Sequence, residues 1–129
     1  SVTCYLVMQG SMLQNELMEA KNTISQMRRG ILEFCIVSLL ARNEIYTAEL
    51  ISRLKAANLI VTDGTLYPML NRLQKASLLE YRWEESDSGP PRKYYSLTEA
   101  GHAYRSQLDE AWQLMTESVE SIRRGNNSE

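Results

Sequence analysis

Between Thr62 and Leu97 the chain passes from a helical to a strand-like hydrophobic period and then folds back on itself, an order that few folds accommodate in so short a stretch. Leu66, Met69, Leu70 and Leu73 recur at spacings of three and four, which is one apolar stripe of a helix. Thr62 or Asp63 offers an N-cap oxygen to the unpaired N–H groups of its first turn. The opposite face carries Gly64, Pro68, Asn71, Arg72 and Lys75, with Thr65 and Tyr67 on its flanks. Pro68 lies beyond the first turn, where it removes an N–H and crowds the carbonyl of Gly64, so a slightly bent or 3₁₀-like first turn is expected. Leu79, Tyr81 and Trp83 then alternate with Glu80, Arg82 and Glu84, the period of a strand with one buried face. Ser86-Asp87-Ser88-Gly89-Pro90-Pro91 stops any regular element, and a return strand places Tyr95 and Leu97 on one face and Tyr94 and Ser96 on the other. The two prolines stiffen this turn and are expected to fix Arg92 and Lys93 at its tip.

A helix that enters a major groove needs small groups at its leading end, side chains that bond base edges, and positive charge where the phosphates run. The polar face just described has that order, and the hairpin behind it offers a second phosphate or minor-groove contact. Each side chain also has a plainer use. Arg72, Lys75, Arg92 and Lys93 taken singly are solvated charge; their joint placement on one helix face and one turn is what points to double-stranded DNA. Arg28 and Arg29 stand evenly between phosphate contact and ordinary surface, and Tyr94 and Tyr95 read as sheet packing.

Composition narrows the class further. A chain of 129 residues, 43% apolar and 23% charged with only three prolines, fits one helix-rich domain able to bury a core. No apolar run approaches the roughly 18 residues of a membrane span, and no signal-peptide pattern is present, so no membrane partner and a cytoplasmic location are expected. The net charge of −2 argues weakly against DNA until it is divided along the chain. Residues 27–60 hold five cations against three anions, whereas residues 98–129 hold three against six. Positive charge gathers in the head, and DNA affinity should come from two moderate heads in a dimer. Cys4 and Cys35 are too few for a disulfide framework, and Cys35 reads as a buried thiol. The single His102 has no sequence-local carboxylate or thiol suggesting a triad or metal site, and no phosphate-binding glycine loop appears. An enzyme is therefore not indicated, nor is any cofactor or metal. A winged module that binds protein remains as a different-class alternative.

Residues 1–11 have no helical period and read as disordered or as a leader joined at Gly10-Ser11 ahead of a native start at Met12. From there Leu13, Leu17, Ala20, Ile24, Met27 and Ile31 keep alternating four and three spacing, which gives an N-terminal arm helix over 12–26 with Gly30 as a joint to the next helix. Ile31 to Leu40 is nearly all apolar, as a central core helix should be. Thr47 is placed to cap a second helix whose Leu50, Ile51 and Leu54 face the core, and the link from Asn58 to Val61 is expected to supply a third edge to the sheet. After the hairpin, Thr98 caps a tail helix over 98–124 in which Tyr104, Leu108, Ala111, Met115, Val119 and Ile122 form a long stripe; residues 125–129 read as a disordered tail. At 1.5 Å per residue that helix is roughly 39 Å long and overshoots a small head. Its stripe, with Leu13, Leu17, Ala20 and Ile24 of the arm, is the expected interface of a symmetric homodimer, which would hold two heads over a pseudo-palindromic operator. The predicted fold class is mostly α with a small β-hairpin: a winged helix-turn-helix head over 27–97 between the arm helix and a long C-terminal dimerisation helix.

Three stretches resemble one family. They are Asp-Gly-Thr-Leu-Tyr-Pro-Met-Leu-Asn-Arg-Leu from Asp63, Gly-Pro-Pro-Arg-Lys-Tyr-Tyr-Ser-Leu-Thr-Glu-Ala-Gly from Gly89, and Glu49-Leu50 to Leu54 upstream. Their order and spacing are similar to those of the PadR family of bacterial winged helix-turn-helix transcriptional regulators, over Met27 to Ile122. Thr47-Ala48 stands where a Gly-Tyr pair is common in that family, and Ser77 where a glycine usually closes the recognition helix. The resemblance implies a repressor with DNA contacts from Thr65, Tyr67, Asn71, Arg72, Lys75, Arg92 and Lys93. The short tail is similar to the branch that includes multidrug-sensing repressors. That likeness implies a flat hydrophobic effector stacked between two Trp112 rings beside Ala111 and Met115, where the plainer reading is interface packing.

Overall fold

A computed structural model describes residues 2–59 and 61–125. In chain order the elements are α1 (Val2–Leu40), β1 (Ile45–Tyr46), α2 (Thr47–Ala56), α3 (Asp63–Lys75), β2 (Leu79–Ser86), β3 (Gly89–Leu97) and α4 (Glu99–Arg123). The architecture is mostly helical with a small antiparallel sheet, as the sequence predicts. The chain divides into two units, Ser1–Leu32 and Glu33–Glu129.

The second unit is built on the apolar stripes. Ile36, Val37 and Leu40 from α1, Leu50 and Leu54 from α2, and Leu66, Met69, Leu70 and Leu73 from α3 are all buried, together with Ile45, Leu79, Tyr95 and Leu97 of the sheet. The four residues predicted for the inner face of α3 are the four that it buries, and the helix runs continuously through Pro68. Its start combines an ordinary helical bond, Leu66 N–H to Thr62 O at 2.9 Å, with a tighter one from Thr65 N–H to the same oxygen at 3.0 Å.

Both helices of the helix-turn-helix end alike. Leu59 N–H reaches Leu54 O at 2.8 Å and Asn58 N–H reaches Lys55 O at 2.9 Å; at the end of α3, Leu78 N–H reaches Leu73 O and Ser77 N–H reaches Gln74 O, each at 3.0 Å. These are Schellman closures, which need a left-handed residue just past the helix. Asn58 at φ 63° and Ser77 at φ 62° occupy those positions. Ser77 therefore stands at a position whose backbone conformation suits glycine best.

The sheet order is β1-β3-β2. Its third strand is β1, which pairs Ile45 with Tyr95 and Tyr46 with Tyr94, and not the link after α2. Among the described residues of that link no strand forms, because the left-handed Asn58 turns the backbone away; Ile60 lies outside them. A β-branched residue beside an aromatic suits a half-buried pleat, which is why Ile45-Tyr46 takes the place. The same pairing corrects the helix start: Tyr46 is the N-cap position of α2, without a side-chain cap, and Thr47 is the first helical residue.

At the other end Thr98 caps α4 as expected. Its hydroxyl oxygen accepts from Gly101 N–H at 3.0 Å and donates to Ser77 O at 2.7 Å, while its own N–H reaches Leu78 O at 3.1 Å. A Cβ on Gly101 would lie 2.0 Å from Leu78 O, so only glycine lets the first turn of α4 approach the end of α3 this closely.

In the first unit, helix begins at Val2 and runs unbroken through Gly10 and Gly30. The expectation that residues 1–11 lack regular structure is thereby corrected for residues 2–11, and the helix passes through Gly30, expected as a joint, without a break. Tyr5, Leu6, Val7 and Met8 are consecutive and so spread around the helix without marking one face; with Val2 they are all exposed. Residues 126–129, most of the expected disordered tail, lie outside the described residues.

Candidate nucleic-acid interface

The outer face of α3 is open. Thr65, Tyr67, Asn71 and Lys75 are exposed, and none of Tyr67, Asn71 and Lys75 is drawn inward by the core. Asp63 in the first turn and Arg72 and Lys75 in the last turn complement the helix dipole, and they leave small groups at the leading end and charge at the trailing end.

Arg72 differs from its neighbours. Its guanidinium is ion-paired with Glu33 of α1, and the other oxygen of that carboxylate accepts the hydroxyl of Tyr104 on α4. From sequence, Arg72 is expected among the DNA contacts and Tyr104 in the dimer seam. The structure brings both onto one carboxylate inside the second unit. Sequence spacing does not single out Glu33, although a lone acid in the apolar run Ile31 to Leu40 is a signal that could have found it.

The hairpin departs from expectation in two respects. First, the turn is made by Asp87 and Ser88, and Arg92 and Lys93 lie within β3 opposite Glu84 and Trp83. Pro90 and Pro91 are strand residues too. Between the pairs Glu84↔Arg92 and Ser86↔Gly89 they oppose the single residue Glu85, an irregularity that tolerates residues without an N–H. Second, only the base of the hairpin is buried: Leu79 is inside, but Tyr81 is 42% and Trp83 62% exposed. Alternation marks which side chains share a face, and here that face outruns the core that would cover it.

The two wing cations lie on aromatic rings. Lys93 Nζ sits 4.0 Å from the centroid of Tyr81, 5.2 Å from Tyr95 and 5.8 Å from Trp83. On the other face Arg92 lies 4.6 Å over Tyr46, whose ring meets Tyr94 edge-on at 5.4 Å. The rings hold the charges in place, with Arg92 exposed and Lys93 half-buried. Arg82 bridges back across the sheet to Glu44 with its Nε 2.9 Å from the carboxylate, and this hydrogen bond holds the Glu44 carboxyl below its usual range. Trp83 and Tyr46 are not among the site residues expected from sequence; the strand period that flags Trp83 assigns it to the core.

Arg28 and Arg29 are exposed on the part of α1 that belongs to the first unit. On α4, Trp112 is 42% exposed with its ring 6.0 Å from Phe34, and Met115 is exposed beside it; Ala111 is half-buried. A shallow depression further along α4, lined by Thr116, Glu117, Glu120, Ser121 and Arg124, does not include Trp112. Of the expected dimer residues, Leu13, Leu17, Ala20, Ile24, Met115, Val119 and Ile122 are exposed, and Tyr104 and Leu108 are half-buried. Cys35 is half-buried and not fully enclosed, and that burial raises its thiol pKa.

A helix with an open polar face, followed by a three-stranded sheet whose hairpin carries fixed cations, defines a winged helix-turn-helix DNA-binding protein. The profile of the transcriptional regulator PadR-like family matches residues 36–107. The chain belongs to that family; it is a DNA-binding transcriptional regulator and not an enzyme. It is 48% identical to a PadR-like transcription factor from Bacteroides fragilis of known structure, at a TM-score of 0.67 over 78% of this chain and 98% of that one. A PadR-like regulator from Bacillus cereus is 32% identical, at a TM-score of 0.68 over 81% and 99% of the two chains. An uncharacterised protein of Lysinibacillus sphaericus is 30% identical over 104 residues, 78% of this chain and 95% of its own length. No described helix is long and apolar enough to cross a membrane.

Proposed function

We propose that the chain is a homodimeric repressor that reads a pseudo-palindromic operator and is released from it by a flat hydrophobic small molecule bound at the dimer seam. In this reading Thr65, Tyr67, Asn71 and Lys75 meet the major groove, and Arg92 and Lys93 meet the backbone or minor groove from the sides of the wing. Arg28 and Arg29 serve as further phosphate contacts. The observation that carries the reading is the pairing of an open polar face on α3 with long apolar stripes left exposed elsewhere. Val119 and Ile122 on α4, and Leu13 and Leu17 on α1, face solvent in the single chain. Stripes of that length on a cytoplasmic regulator call for a second copy, and two copies related by a two-fold axis present two reading helices. The half-exposed Trp112 beside Met115 supplies an aromatic face and an adaptable neighbour for a flat ligand.

The test is a mobility shift on the DNA upstream of the gene for this chain, across a range of salt, with sedimentation of the free protein. The expected result is a dimer whose log affinity falls linearly with log salt, and a slope for Arg92→Ala/Lys93→Ala that is shallower by about 0.9 for each phosphate no longer neutralised. A monomer at working concentration overturns the operator geometry, and unchanged binding in the double variant removes the wing. Binding that no flat aromatic ligand weakens leaves a regulator without an effector.

A further inference from the structure

Glu33 is the one acid among Ile31 to Leu40, and its side chain is only 15% exposed. Its two oxygens serve two different elements: Oε1 takes Arg72 of the recognition helix and Oε2 takes the hydroxyl of Tyr104 on α4. The next residue, Phe34, sets its ring 6.0 Å from Trp112, further along α4. Two consecutive residues of α1 thus hold α4 at two levels, and one of them also holds α3.

We propose that Glu33 is a positioning residue that makes the placement of the recognition helix depend on the placement of α4. The inference rests on the DNA-reading role given to α3 above. A carboxylate this enclosed keeps both partners only while both helices stay where they are, because the close ion pair with Arg72 weakens as the charges separate and the hydrogen bond from Tyr104 is short-ranged and directional. A displacement of α4 at Trp112 moves Phe34 or Tyr104, re-aims the carboxylate, and reaches α3 through the planar guanidinium of Arg72. The two placements of α4 differ in these contacts, and that difference is what coupling between a seam ligand and DNA requires. Arg72 is then neutralised by Glu33 and acts on DNA through helix position, unlike the reading residue Lys75.

The experiment uses the whole chain labelled with fluorotryptophan, in which Trp83 and Trp112 give separate fluorine resonances, assigned with Trp112→Phe. Without DNA, Arg72→Ala is expected to move the Trp112 resonance although the substituted residue lies on a different helix. Glu33→Gln should move it as well, and the double variant should move it no further than Glu33→Gln alone. With the upstream DNA, the parent should show a second shift of Trp112 on binding. Glu33→Gln should bind about tenfold more weakly, the effect of removing one charge-assisted hydrogen bond, and show no second shift. Arg72→Ala should leave the salt slope unchanged, whereas Lys75→Ala should reduce it by about 0.9. Circular dichroism and melting confirm that each variant folds, and Tyr104→Phe, which removes a single oxygen, repeats the test with the charge intact. A Trp112 resonance indifferent to Arg72→Ala, or additive shifts in the double variant, overturns the proposal. Failure of the parent to bind any DNA defeats the operator reading instead, and the DNA-free shifts still decide the coupling.

Discussion

The recognition helix and the wing, the two surfaces proposed to meet DNA, are held in opposite ways. Helix α3 buries four side chains, closes its C-terminus with two backbone hydrogen bonds, and has Arg72 tied to Glu33. The hairpin has one buried residue at the base of β2 and two on β3, and the residues towards its turn are exposed or half-buried. Its cations are steadied by rings on the hairpin itself and on β1. One element is a fixed platform, and the other is an arm whose order is largely local.

The contrast is broken first by truncation. Leu70→Ala in the fully buried side of α3 should cost about 2–5 kcal/mol in chemical denaturation, while Trp83→Ala in the wing should leave stability within about 0.5 kcal/mol and weaken DNA binding. Equal losses at the two sites would mean that the wing belongs to the cooperative core. Gly101→Ala tests the joint between the two elements: a methyl group directed at Leu78 O must push α4 off the end of α3, at a cost of about 1–3 kcal/mol in melting. A neutral outcome would show that α4 yields without strain. Ser77→Gly works in the other direction, since the left-handed φ of 62° suits glycine. A gain of about 1 kcal/mol is expected, with the DNA slope against salt untouched. The smallest effect lies at Glu44. Its folded pKa is lowered below the ordinary 4.5 by the Arg82 hydrogen bond, so its contribution is fully present above the ordinary value and is lost as pH falls through the folded one. Melting curves of Glu44→Gln and the parent should differ slightly at neutral pH and converge in acid; a gap that widens in acid would contradict the pairing.

Legibility follows the same division. The inner face of α3, its outer face, and the Thr98 cap are legible in the sequence because each depends on spacing within one helix or on one capping residue. The wing is less so, because strand period is not burial: Tyr81 and Trp83 do share a face with Leu79, but the core ends before it reaches them. Proline as a turn residue puts Arg92 and Lys93 at a tip, whereas Pro90 and Pro91 lie in a bulged strand. The third strand forms before α2 and not after it, and two residues carry too little pattern to separate Ile45-Tyr46 from a helix approach. The helical residues 2–11 escape the sequence pattern because Tyr5 to Met8 are consecutive apolar residues that spread around the helix and mark no single face.

Local order therefore decided a great deal: helix identity, the polar reading face, the apolar stripes and the family signature are all set by residues a few positions apart, where backbone geometry alone fixes which side chains are neighbours. Tertiary structure decided the partners of the charges. Whether Arg72 faces a phosphate or Glu33, and whether Lys93 projects or lies on Tyr81, depends on residues brought together from distant positions, and Coulomb and ring contacts act on distance in space without regard to separation along the chain.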